Sequence, residues 1–198
     1  MPKEGEVSAA EITAIAGASA RRKREFMVGR VLARKLLAEL DIRNHDLLIG
    51  NDRAPEWPKG VIGSITHSDR ICGAMVAHLS PELQGIGLDV EPAEPLEQDL
   101  WDLLCTAKET RWLASLPPKE RGLMARLLFS AKEAVYKSQY RTTRRFLEFE
   151  DVELDVDQST GTFEARLLAP GMKGNCRPSG GWRISEGFLV SLATTAGC

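Results

Sequence analysis

The eight residues "GIGLDVEP", positions 85 to 92, constrain this chain more than any other stretch. Ile86, Leu88 and Val90 alternate with Asp89 and Glu91, which is the period of a β-strand, and Pro92 stops it. Residues two apart on a strand leave the same face, so Asp89 and Glu91 stand side by side while the apolar set faces a core. Two unit charges about 4 Å apart repel by about 4 kcal/mol at an effective dielectric near 20. A fold built on this strand either lets both carboxylates splay into water or supplies a cation between them. A hard, oxygen-ligated ion such as Mg²⁺ suits the second case, because it takes one or a few carboxylates together with substrate phosphates and waters.

The rest of the chain repeats one order of elements. Residues 21–40, "RRKREFMVGRVLARKLLAEL", open on a basic cluster and place Phe26, Ala33, Leu37 and Leu40 at helical spacing. A turn-rich stretch, "GNDRAPEWPKG", leads into "VIGSITHSDRICGAMVAHL", two apolar runs around Ser68-Asp69-Arg70 that read as a β-hairpin. After the strand at 85–92 comes an acidic connector, then helical segments near 101–115 and 120–140. The strand-like runs "FEDVELDVDQSTGTFEARLLA" and "GWRISEGFLVSLAT" follow. Each half is a helix followed by antiparallel strands, so the expected class is α+β. The halves divide at 1–95 and 96–198.

Composition narrows the function. The chain has 198 residues, 43% hydrophobic and 27% charged, enough for a sizeable core. With 26 basic against 28 acidic side chains, the whole-molecule field gives no pull toward nucleic acid or an anionic membrane. No apolar run nears the roughly 20 residues of a membrane span. Cys72, Cys105, Cys176 and Cys198 form no CxxC pair, and the N-terminus has no signal-peptide pattern, which reads as a cytoplasmic protein with reduced thiols.

A second group of chemically capable residues lies in "FSAKEAVYK", residues 129 to 137. On a helix Glu133 and Lys137 share a face one turn apart, with Lys132 about 100° away. An exposed Glu-to-Lys pair is worth only a few tenths of a kcal/mol, but Phe129, Ala134 and Tyr136 point to partial burial, where acid and base need a partner or a purpose. Arg30 falls on the core-facing stripe of the first helix, four residues after Phe26, and a semi-buried guanidinium favours a fixed anion such as phosphate. Arg53 lies in the loop before the hairpin. His67, beside Thr66 and Ser68, is able to donate to a phosphate; a lone histidine is more often structural.

In order and spacing, "GSITHS", "GLDVEP" and "FSAKEAVYK" closely resemble the three signature motifs of the two-subdomain 4′-phosphopantetheinyl transferases, the class that activates nonribosomal peptide, polyketide and siderophore synthases. The flanking "RRKREFMVGR", "RAPEWPKGVIGSITH" and "TRRFLEFEDVEL" look similar, so the resemblance spans roughly residues 20 to 155. Phe129 stands where many relatives have tryptophan, and Thr66 where serine is frequent.

The resemblance implies a pseudo-dimer of two similar α/β subdomains with antiparallel sheets and the active site at their interface, working as a monomer. It implies transfer of the phosphopantetheine arm of coenzyme A to a serine of apo acyl, peptidyl or aryl carrier proteins, with release of adenosine 3′,5′-bisphosphate. Fatty-acid synthesis is a further pathway that such carriers serve. Mg²⁺, with Mn²⁺ an alternative, would sit on Asp89, Glu91 and Glu133. Glu133 would complete the metal site or deprotonate the serine, and Lys137, helped by Lys132, would stabilise the breaking pyrophosphate. Arg22, Arg30, Arg53, Thr66 and His67, with Asp89, would hold the phosphates of coenzyme A. Two rival readings stand beside it: a metal-dependent nuclease, since acidic pairs also serve two-metal hydrolysis, and a non-catalytic module binding nucleic acid or an acidic carrier through the basic helix.

Overall fold

The computed structural model describes residues 6–43, 45–68, 71–172 and 176–196. Asp69 and Arg70 of the expected hairpin turn, and Cys198, lie outside the described residues. The short helix α1, Ala9–Ala14, starts at a capping box between Ser8 and Glu11. The long helix α2, Ala20–Glu39, is N-capped by Ser19 and buries Phe26, Ala33 and Leu37 on the stripe expected from the sequence. It lies on an antiparallel hairpin of β1, Val61–Ser68, and β2, Ile71–His78, paired from Val61 with His78 to Ser68 with Ile71.

The strand β3, Gly85–Pro92, is followed by α3, Trp101–Leu104, and α4, Ala107–Ser115. The single helix expected near 101–115 is thus two, because Thr106 and Glu109 form a capping box that restarts the chain. Helix α5, Pro118–Thr143, begins with proline in its first turn and ends where Arg144 turns left-handed at φ 52. Strands β4, Val152–Asp157, β5, Thr162–Leu167, β6, Ser179–Ser185, and β7, Phe188–Thr195, complete the fold. The result is α+β with two antiparallel sheets: the β1–β2 hairpin, and a five-stranded sheet ordered β3-β7-β6-β5-β4.

Strand β3 precedes residue 95, yet all of it pairs with β7, from Gly85 opposite Thr195 to Pro92 opposite Phe188. The sheets therefore do not divide where the halves of the sequence do. The other edge of β3 meets the hairpin, where the Leu88 amide donates to the Ser64 hydroxyl at 2.9 Å. So β3 is the joint between the sheets. Cys72 and Cys105 are free, whereas Cys176 is disulfide-bonded, a departure from four reduced thiols. Among the described residues no helix is long and apolar enough to cross a membrane.

Helix α5 packs on the larger sheet through Leu127, Leu128, Ala131, Ala134 and Val135, which meet Leu154, Phe163, Leu189 and Ala193. Complete burial of each leucine or phenylalanine contributes about 1.5–3 kcal/mol. Along β3 the contact is closer still. A Cβ on Gly85 would lie 1.9 Å from the Ser138 carbonyl oxygen, and one on Gly87 would lie 1.8 Å from that of Ala134. Alternation puts Gly85, Gly87, Asp89 and Glu91 on one face, so the two glycines let the α5 backbone down onto the face that carries the carboxylates. Gly87→Ala is therefore expected to lower stability by about 3 kcal/mol or more, since backbone cannot yield as a side chain can. Gly17→Ala, which meets nothing within 4 Å, should stay within about 0.5 kcal/mol of wild type. Equal denaturation midpoints for the two variants would contradict this packing.

Candidate active site

Because α5 runs antiparallel to β3 at backbone contact, its side chains reach the carboxylates directly. Lys137 Nζ donates to Asp89 Oδ1 at 2.7 Å and to the Leu88 carbonyl at 3.1 Å. Thr66, from β1, donates its hydroxyl to the same Asp89 oxygen at 3.3 Å. Asp89 is only 5% exposed, and its other oxygen, Oδ2, is buried with no hydrogen-bond partner. The carboxylates thus stand in a buried site and are not splayed into water. Burial lifts the Glu133 carboxyl above its ordinary range, with Lys137 opposing and Asp89 adding to the rise. Burial also lifts Glu91; Asp89 and Glu133 push it the same way, against Arg126 and Lys137.

Asp89 and Glu133 raise the proton affinity of Glu91, Asp89 raises that of Glu133, and Asp89 keeps an orphaned buried oxygen, so these side chains offer hard oxygen donors of the kind a divalent cation takes. Among the described residues, however, no three His, Cys, Asp or Glu side chains are drawn into a ready metal cluster, and Glu91 is engaged by Arg126 Nη1 at 3.3 Å.

Lys132 requires a correction. It is 1% exposed, and its ammonium donates to the Leu104 carbonyl at 2.7 Å, Glu109 Oε2 at 2.7 Å and the Phe149 carbonyl at 2.9 Å. An ammonium has three donors, so none is left for a phosphate. Burial pulls its pKa down and Glu109 pushes it back. Glu109 also accepts from the Thr106 and Leu154 amides, so the pair ties α4, α5 and β4 together.

Arg30 is buried too: its Nε donates to the Leu47 carbonyl at 2.8 Å, and its guanidinium lies 4.0 Å from the centre of the Phe26 ring. Burial lowers its pKa to about 10. Both of these contacts are internal to the protein. Arg22 and His67 do meet: Arg22 Nη1 donates to His67 Nε2, while His67 Nδ1 lies 3.6 Å from Glu25. Burial lowers the His67 pKa, which agrees with a neutral ring accepting from the guanidinium.

Arg53, left-handed at φ 66, lines a groove of about 1160 Å³. The 50–60 loop and β1 form one wall, and Tyr136, Lys137, Tyr140, Arg141 and Arg144 of the α5 end form the other. An Arg144–Asp52 ion pair spans it. A small cavity of about 110 Å³, lined by Lys132, Glu133, Tyr136, Phe146 and Phe149 among others, shares Tyr136 and Phe146 with the groove. Sequence reasoning passed over Arg126, although Arg126, Ser130, Glu133 and Lys137 fall at helical spacing on one stripe.

Residues 10–77 match the 4′-phosphopantetheinyl transferase N-terminal domain, and residues 85–180 match the 4′-phosphopantetheinyl transferase superfamily. The chain is 39% identical to 4′-phosphopantetheinyl transferase Svp of Streptomyces mobaraensis, over 94% of this chain and 77% of that one. The chain belongs to the 4′-phosphopantetheinyl transferase superfamily. It is also 34% identical to the transferase Npt of Nocardia iowensis, over 98% of this chain and 92% of that one. With PptT of Mycobacterium tuberculosis the identity is 32%, over 91% and 82%. This transferase is thus an enzyme of that class, rather than the nuclease or the binding module. The two matched segments meet between residues 77 and 85, which puts β3 with the second of them.

Proposed function

We propose that the protein transfers the 4′-phosphopantetheine group of coenzyme A to a serine hydroxyl of apo carrier proteins, in a divalent-cation-dependent reaction that releases adenosine 3′,5′-bisphosphate. The observation that carries this reading is the buried Asp89 with its orphaned oxygen, joined to Lys137 at the wall of the large groove. Asp89, Glu91 and Glu133 would hold Mg²⁺ or Mn²⁺. Such an ion, when bound, neutralises pyrophosphate oxygens that would otherwise repel the nucleophile.

The chain's own residues do the rest. The groove presents Arg53, Lys59, Lys137, Arg141 and Arg144 against Asp52 and Glu56, an excess of positive charge suited to an anionic substrate. Arg22 and His67 are suited to holding a phosphate on the far side of Thr66. The serine Oγ attacks the phosphorus that carries the pantetheine arm. The P–O bond of the pyrophosphate breaks, and its electrons leave with the adenosine bisphosphate. Where it does not ligate the ion, Glu133 is suited to take the serine proton, directly or through water, and Lys137 faces the charge that builds on the leaving phosphate.

Incubation with coenzyme A, Mg²⁺ and an apo carrier protein should add one phosphopantetheine arm, seen by intact mass, and a chelator should prevent the gain. No gain on acyl, peptidyl or aryl carriers would reject the reading, and a gain that survives the chelator would reject its metal.

A further inference from the structure

Two carboxylates of β3 face α5, and two cations of that helix answer them: Lys137 on Asp89 and Arg126 on Glu91. Arg126 has no part in the roles assigned above. Arg126 reaches the end of β3 from two directions: its Nη1 lies 3.3 Å from Glu91 Oε2, and its Nε donates to the Glu94 carbonyl at 3.2 Å. Both partners are about four-fifths buried, so salt screens the contact little. Oε2 of Glu91 is therefore already engaged, as is Oδ1 of Asp89, while Oδ2 of Asp89 is buried without a partner.

We propose that Arg126 is a positioning residue that holds Glu91 back from a divalent cation in the empty enzyme, so that the cation binds well only together with an anionic substrate. The proposal rests on the divalent-cation reading of the site. An ion arriving alone must displace a guanidinium from its carboxylate and enter a site where two fixed cations already offset two of the three carboxylates. An ion arriving beneath a pyrophosphate brings along the negative charge that compensates both. Arg126 touches Glu91 and acts through it.

The test measures Mn²⁺ binding to the full-length protein, by the loss of the free aqueous Mn²⁺ signal in electron paramagnetic resonance, with and without coenzyme A and with no carrier protein present. Arg126→Gln should bind Mn²⁺ about tenfold more tightly than wild type in the absence of coenzyme A, because the ion no longer competes with a fixed positive charge for Glu91. Adding Glu91→Gln to that variant should remove the gain. Lys119→Gln, which removes an exposed positive charge from the same helix, should leave affinity unchanged and so separates a local effect from one of net charge. A gain under threefold in Arg126→Gln, with wild type binding Mn²⁺ in the presence of coenzyme A, overturns the proposal and leaves the metal reading standing. An equal gain in Lys119→Gln also overturns it. Absence of Mn²⁺ binding in every protein, with or without coenzyme A, removes the metal reading and the proposal together.

Discussion

Lys132→Met is expected to destabilise the protein by about 3–5 kcal/mol, because it leaves Glu109 charged and unpaired in the interior. Both side chains are 1% exposed, so water does not replace the lost partner, and the Leu104 and Phe149 carbonyls lose their donor in the same step. Adding Glu109→Gln should restore much of the loss. It removes the stranded charge and keeps an acceptor for the Leu154 amide, which now bonds Glu109 at 2.8 Å. Urea denaturation of the three variants is the measurement, and a loss below about 1 kcal/mol in Lys132→Met would refute the buried pair. If Lys132 instead touched the pyrophosphate, the double variant would fold but not transfer. The expected result is that it does both.

The neighbouring motif residues show how far sequence reasoning reaches. Helical spacing placed Glu133 and Lys137 on one face of α5, and strand alternation placed Asp89 and Glu91 on one face of β3; both follow from local periodicity. The same periodicity gives directions around an element without saying what lies there. Lys132 is 100° from Glu133, and nothing local reveals that this direction points at Glu109 and two carbonyls instead of at a ligand. Arg126 shares the stripe of Glu133 and Lys137, but its partner is 35 positions away on β3. The membership of β3 in the larger sheet is hidden for the same reason: its partner β7 comes more than 90 residues later, and only chain closure brings them together. Gly85 and Gly87 read as ordinary strand residues until the α5 backbone is seen against them.

Asp89→Asn should reduce transfer by about 10³-fold or more while leaving the fold at least as stable as wild type. The catalytic loss follows because Asp89 is the carboxylate with a buried oxygen free for a cation, and several kcal/mol of charge stabilisation corresponds to about three factors of ten in rate. The stability follows from the same atom. A buried carboxylate with an unpartnered oxygen is strained by desolvation, and the amide removes that charge at nearly constant volume. Lys137 keeps the Leu88 carbonyl and, being 25% exposed, can turn its remaining donors to water. Thermal unfolding without coenzyme A and transfer measured by intact mass test the two halves separately. A variant that loses both activity and about 2 kcal/mol or more of stability would make Asp89 a structural anchor like Lys132. One that keeps both would remove it from the site. Loss of activity in a protein of equal or higher melting temperature is what a residue held at a cost to folding, for the sake of a charged ligand, must show.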